Sequence, residues 1–396
     1  MSAELVSVCE AAGSVGAAES PSDRGPVSVL FMVRELGLGG IERDVTKLAL
    51  GIDRARFKPY VATYKPEGPR YDELRQAGVP VLHLELPSLL SLQAVRAALK
   101  FAVFVRRNRI RIVHAFDPSS VFGVPLARML RVPVVLSSQL GHRELHDPRT
   151  RKQLRWVDRL SDVVVVNCEA LRTHLKSKFA VPAERIELCY NGVETREFFA
   201  GPQQRPPELA GAPLVIGAIC VLRPEKGLDL LQAAFARVQP LLPGSKLLIV
   251  GNGPERERLE ANGARLGIAE DTIFLPAVAR VAPLMRSIDI FVSCSHSEAF
   301  SNALLEAMAC GCCVVGSRVG GTPELIGENQ RGLLFEKGSV DGLSEQLSRL
   351  MANPGLRTSL AEKAAQHART QLTVEANVFR NMQIYDSLLE RKQVAR

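Results

Sequence analysis

Short apolar runs of strand length alternate with helix-patterned stretches along this chain, and that rhythm leaves few folds open. Runs at 27–33, 110–115, 246–250 and 313–317 are apolar on nearly every position, so both faces of each strand need covering. Strands of that kind belong to parallel sheets flanked by helices on two sides. An α/β fold of doubly wound sheets is therefore expected.

The first half reads as strands at 27–33, 60–64, 79–84, 110–115, 134–137 and 163–167, with helices at 42–50 and 93–107. The second helix is basic and amphipathic, with Val95, Leu99, Ala102 and Val103 on one face. A Pro/Gly-rich stretch without periodicity, 200–213, interrupts the rhythm and marks a domain boundary. Beyond it lie strands at 214–221, 246–250, 272–275, 288–293 and 313–317, and helices at 228–238, 255–266, 302–309 and 322–326. From Val340 the pattern is helical to the end. The expected organisation is a mobile tail 1–26, a domain 27–200, a linker 201–213, a domain 214–370, and a C-terminal helix 371–396 packing back on the first domain. Each doubly wound sheet opens a crevice at the carboxyl ends of its strands, so a shared ligand sits between the two domains.

Charge divides along the same line. Residues 1–200 carry 29 Lys/Arg against 22 Asp/Glu, whereas residues 201–396 carry 21 against 20. The basic half suits an anionic partner, but aromatics are only 5% of the chain and are not interleaved with the basic residues, which argues against nucleic acid. No stretch reaches the ~18 apolar residues of a bilayer span. The opening residues lack the cations and long apolar core of a secretory signal. The eight cysteines are scattered, and Cys310-Gly-Cys312-Cys313 has no second pair to complete a zinc site, so buried thiols in a reducing cytoplasm are expected.

Several segments carry chemistry. Gly37-Leu38-Gly39-Gly40-Ile41-Glu42 follows a strand and opens a helix, where backbone N–H groups can meet a phosphate. Glu42 stands where a dinucleotide fingerprint needs its third glycine, and Arg256 does the same after Gly251-Asn252-Gly253-Pro254. That argues against an NAD-linked dehydrogenase. Arg223-Pro224-Glu225-Lys226-Gly227 puts two cations at a strand's carboxyl end, suited to a diphosphate or to a solvated turn. In the stretch 295–308, Glu298 belongs to a loop, Ser301 is a helix N-cap, and Glu306 falls among Leu304, Leu305 and Met308. A carboxylate on so apolar a helix needs specific hydrogen-bond donors, and ribose hydroxyls would serve.

Taken in order, Gly39-Gly40-x-Glu42, Asn191-Gly192-Val193, Pro224-Glu225-Lys226-Gly227, Gly251-Asn252-Gly253-Pro254, Glu298-x7-Glu306 and Gly320-Gly321-Thr322-Pro323-Glu324 resemble retaining glycosyltransferases of the GT-B fold, family four. The resemblance runs from about Val27 to Leu389. It implies two Rossmann-like domains, the second binding a nucleoside-diphosphate sugar and the first a glycan, lipid-linked or small-molecule acceptor in cell-surface polysaccharide or glycolipid synthesis. It further implies that Glu298 contacts the donor sugar, Glu306 holds the ribose, and Lys226 with an arginine neutralises the leaving diphosphate. Backbone groups at Phe300, Ser301, Asn302, Ala303, Gly39 and Gly40, with Gly251 nearby, complete the donor site. Front-side attack, without metal or cofactor, is the implied route to retention, and no D-x-D pair exists in the chain.

Departures from the family pattern set the remaining expectations. The usual phosphate arginine falls at Val221, so Arg223 is the candidate replacement, provided that the strand continues to it. A common acceptor-side histidine falls near Gln139, with His142 three residues on. His114 and Asp117, at the end of the 110–115 strand, are further acceptor-side candidates, and a structural role for His114 is equally open. Ala299 and Cys313 replace a common Gly and Pro. Basic residues at 96–111 and 143–159 read as solvated faces, or as a peripheral contact with anionic membrane on its cytoplasmic side. A UDP-sugar 2-epimerase of similar architecture and a catalytically silent relative are the rival readings.

Overall fold

The computed structural model describes residues 25–394 except 38, 204 and 279, so all but the last two residues of the expected tail lie outside the described residues. The first sheet holds β1 (Val27–Glu35), β2 (Phe57–Lys65), β3 (Val81–His83), β4 (Ile112–Phe116), β5 (Val134–Gln139), β6 (Val163–Val166) and β7 (Ile186–Leu188). The second holds β8 (Val215–Ile219), β9 (Lys246–Val250), β10 (Thr272–Leu275), β11 (Ile290–Ser293), β12 (Cys313–Ser317) and β13 (Leu333–Phe335). Their orders are β3-β2-β1-β4-β5-β6-β7 and β10-β9-β8-β11-β12-β13, with every pair parallel. Both reverse direction beside their first strand, between β1 and β4 and between β8 and β11. Those two switch points, each at the strands' carboxyl ends, are where the site residues gather. The edge strands β7 and β13 escape the sequence reading because three residues show no period. Similarly, only three of the six residues at 79–84 pair as a strand.

Alternation along β1 sends Val29, Phe31 and Val33 to one face and Leu30 and Met32 to the other. The first face is covered by the helices Gly40–Gly51 and Val374–Val394, the second by Leu92–Arg107, Ser120–Met129 and Pro148–Leu160. One expectation needs correcting here. Helix Leu92–Arg107 packs inward through Ala94, Ala97, Phe101 and Val105, so Val95, Leu99 and Val103 face solvent and Ala102 is half-buried. Phe101 meets Phe122 edge-on at 6.4 Å, and the small Ala94 and Ala97 let the helix axis come close to the sheet.

Between β7 and β8 the chain passes through Asn191-Gly192-Val193, and it comes back beside that segment at Leu372–Val374. The two crossings lie side by side: Val193 N–H donates to Leu372 O (2.8 Å) and Val374 N–H to Val193 O (3.1 Å). A Cβ on Gly192 would stand 2.3 Å from Thr373 O, so only glycine fits. Helix Val374–Val394 then lies along Gly40–Gly51, and its Tyr385 is fully buried.

Candidate active site

On the second domain the site begins where β8 stops. The chain turns tightly, with Arg223 N–H donating to Val221 O (2.9 Å), and passes through Pro224–Lys226 to Gly227 at φ +63°. A Cβ on Gly227 would come within 2.4 Å of Cys294 O, so the glycine lets this turn close onto the end of β11. Lys226 Nζ thereby reaches Glu298 Oε2 at 2.5 Å, and Ser295 Oγ donates to the same oxygen at 3.3 Å. Burial pulls the Lys226 ammonium down, but the Glu298 charge and hydrogen bond outweigh it and hold its pKa above the ordinary lysine value. Beneath Glu298 lies the Gly320-Gly321 turn. Gly320 has φ +49° and a Cβ there would stand 1.8 Å from Glu298 O, so glycine lets this turn pack under the Glu298 main chain.

Two helix N-termini meet this pair, one beside it on the second domain and one across the cleft on the first. Ser301 Oγ accepts from Leu304 N–H (3.3 Å) at the start of Asn302–Ala309. Gly39 opens Gly40–Gly51 without a capping side chain of its own, and the Glu42 carboxylate folds back against it in the first turn. Both helix starts and Lys226 line one cavity of about 310 Å³, together with Arg43, Ser295 and Phe300. Positive helix ends converging with an ammonium make a cradle for a polyanion. The domains are registered there by Asn302, whose Oδ1 accepts from Asn191 Nδ2 (3.0 Å) and whose Nδ2 donates to Asp44 (3.3 Å). Further out, Glu324 of the second domain accepts from Glu169 and Ala170 N–H (2.8 and 2.9 Å) and so caps a helix of the first.

Three donor-side candidates stand in distinct surroundings. Glu306 is 3% exposed and pairs with Arg43 Nη2 at 2.6 Å. Burial pushes its carboxyl up and Arg43 opposes that shift. The donors it needs come from a neighbouring helix, one turn past Gly39-Gly40. Arg43 was invisible to sequence reasoning, and only its place in that first turn could have signalled it. Arg223 is largely exposed and stands 3.9 Å from Glu225. Since β8 ends at Ile219, no strand carries it toward the cavity, which Val221 lines instead. Gly251, at φ +151°, sits where a Cβ would be 1.8 Å from Cys220 O, so it serves the close approach of two backbones.

The acceptor-side candidates separate as clearly. His114 is fully buried, with Nδ1 against Tyr385 Oη and Nε2 against Ser138 Oγ, both at 2.7 Å. It is a satisfied core histidine, and burial drives its pKa down to about 3. Gln139 is engaged too: its Oε1 accepts from Arg143 Nε (2.6 Å) and its Nε2 donates to Gly141 O (3.1 Å). His142 does reach the cleft, with Nε2 at 3.2 Å from Glu298 O. With Glu144 and His174 it forms a cluster whose ligand atoms lie within 4.8 Å of one another, and Lys178 already pairs with Glu144 there.

Asp117 is the unusual group. It lies 5% exposed at φ +43°, and its Oδ2 has no hydrogen-bond partner among the described residues. Burial raises its pKa to about 7, against a backbone hydrogen bond from Leu140 and the charge of Arg143, with Glu42 adding to the rise. A raised carboxyl is stabilising below the unfolded value and loses that advantage as pH climbs to the folded one. Asp117→Asn should therefore melt progressively above the wild type between about pH 4 and 7, by about 4 kcal/mol at the plateau. Melting curves across that range check it, and a difference independent of pH would remove the assignment.

Two Rossmann-like domains with a cationic, glycine-lined cradle between them define the two-domain architecture of this chain. The family model described as "Glycosyl transferases group 1" matches residues 202–367, and "Glycosyltransferase Family 4" matches 38–197. The chain belongs to the GT-B glycosyltransferases of family four. A D-inositol 3-phosphate glycosyltransferase of Segniliparus rotundus is 30% identical over 52% of this chain, an alignment spanning about half (48%) of that relative. The N-acetyl-alpha-D-glucosaminyl L-malate synthase of Bacillus anthracis is 27% identical over 74% of this chain and 78% of its own. Among solved structures, Anabaena HepE in complex with UDP superposes with a TM-score of 0.78 at 22% identity, covering 92% of this chain and 100% of that one.

Proposed function

We propose that the chain transfers a glycosyl group from a nucleoside-diphosphate sugar to an acceptor hydroxyl with retention of configuration. The observation that carries this is the 2.5 Å Lys226–Glu298 pair standing in the same cavity as two helix N-termini. Lys226 and the helix ends neutralise the diphosphate as the bond from the anomeric carbon to phosphate oxygen breaks. Glu298, held by Lys226 and Ser295, accepts hydrogen bonds from the sugar hydroxyls. Glu306, paired with Arg43, receives the ribose, and Arg43 supplies the second cation that Val221 lacks. The acceptor oxygen enters on the face the diphosphate leaves, and its proton passes to the departing phosphate oxygen. Asp117 and His142 flank the acceptor side. No metal takes part in this scheme; charge stabilisation rests on Lys226, Arg43 and backbone dipoles.

A panel of UDP-, GDP- and ADP-sugars tests the donor site. A donor at a hundred times its Kd stabilises the native state by ~2.7 kcal/mol, which appears as a rise in melting temperature. Stabilisation by none of them overturns the donor reading. An NMR time course without acceptor separates the rival: conversion of the sugar to its 2-epimer would replace transfer by epimerisation.

A further inference from the structure

Outside the donor cavity, the loop after β5 meets the helix Glu169–Phe179 and brings metal-ligating side chains together. His142 and Glu144 belong to the loop and His174 to the helix, with all their ligand atoms within 4.8 Å of one another. The turn that presents the first two is anchored from behind. Arg143, between them, points inward to Gln139 and Asp158 and lies over the Phe179 ring. His174 packs against that same ring at 5.4 Å, and against the His142 ring at 5.2 Å and nearly at right angles. The helix that carries His174 is fixed at its start by Glu324, which accepts from Glu169 and Ala170 N–H. The three groups are thus held in place before any ligand arrives, which lowers the cost of binding one.

Their hydrogen bonds follow the pattern of a metal centre. His174 Nε2 stands 3.1 Å from Glu144 Oε2, and since a carboxylate accepts, the imidazole donates a proton there. Tetrahedral zinc with bonds of ~2.1 Å sets adjacent ligand atoms ~3.4 Å apart, so an ion can take that proton's place with little movement of either group. His142 Nε2 lies 3.2 Å from Glu298 O, and a carbonyl also accepts, so the lone pair of His142 is on Nδ1. A ligating histidine characteristically gives its second N–H to a carbonyl or carboxylate, which fixes the ring and its tautomer. Lys178 engages the other oxygen of Glu144, Oε1, and leaves Oε2 for the ion. At 57% exposed, Lys178 can also swing away from an added charge. Two imidazoles and one carboxylate suit zinc, with water in a fourth position, whereas magnesium and calcium require oxygen ligands. We propose that His142, Glu144 and His174 bind a zinc ion on the first domain's side of the cleft. The ion stands apart from the transfer scheme above, since neither the Lys226 nor the Glu298 side chain is among its ligands.

Equilibrium dialysis of the full chain against zinc, after stripping with a chelator and without nucleotide, tests this. One zinc ion per chain is expected, undisplaced by a large excess of magnesium. His174→Ala and Glu144→Ala should each weaken binding by at least about tenfold, since losing even a ligand's supporting partner costs that much. Both side chains are part-exposed, so melting curves in chelator should stay within a few degrees of the wild type and show that each variant is folded. X-ray absorption of the zinc-loaded chain should show nitrogen and oxygen ligands alone. No stoichiometric binding, or binding undiminished in both variants, overturns the proposal. Sulfur in the zinc shell would place the ion on cysteines and overturn it as well. Failure of every nucleotide sugar to bind would leave these results unchanged, so the zinc site and the donor reading stand or fall separately.

Discussion

Lys226→Ala is expected to lower kcat by about a hundredfold to a thousandfold while moving the melting temperature by only a few degrees. Removing one preorganised charge from a leaving group costs on that scale, because it acts where charge develops. The fold survives because the Lys226–Glu298 pair is about one-fifth exposed, and Ser295 still donates to Glu298 after the lysine is gone. Glu298→Gln should fall into the same range. The double variant should be little worse than either single one, since the two groups act as a unit. Single-turnover rates with saturating donor are the measurement, and near-wild-type turnover in either variant would remove the assignment.

Arg143→Met is expected to cost about 3–5 kcal/mol of stability. Arg143 is 1% exposed and holds Asp158 bidentately at 2.7 and 2.6 Å. It also donates to Gln139 and lies 4.7 Å from the Phe179 ring. Its removal strands a buried carboxylate, so adding Asp158→Asn should restore part of the loss. The midpoint of urea unfolding reads both effects, and a cost below 1 kcal/mol for Arg143→Met would show that Asp158 finds water.

Arg143 also marks where reading the chain by its letters runs out. It stands at the head of a run of basic residues that are solvated, and nothing local distinguishes the one that turns inward. His114 is of the same kind, since its partner Tyr385 lies 271 residues away. By contrast, elements whose burial pattern is continuous were legible to the residue: β9, β10 and β12, and the helices Leu228–Val238, Asn302–Ala309 and Thr322–Ile326. Apolar runs and caps act locally. The glycine motifs were legible as glycines, but their reasons are tertiary, a carbonyl of Glu298 under Gly320 and one of Thr373 beside Gly192. Glu306 falls between: its helix announced that it needed donors, and only the packed domains supply Arg43.

The paired crossings at Val193 and Thr373 have a mechanical meaning. Domains joined by one strand can swivel about it, whereas two strands laced together by hydrogen bonds act as a short, stiff spine. Such a spine resists swivelling more than bending, so any relative motion of the domains is expected to follow the bending direction. Cutting the chain after Gln371 would remove one of the two strands and with it that restraint on Gly39-Gly40 and Lys226.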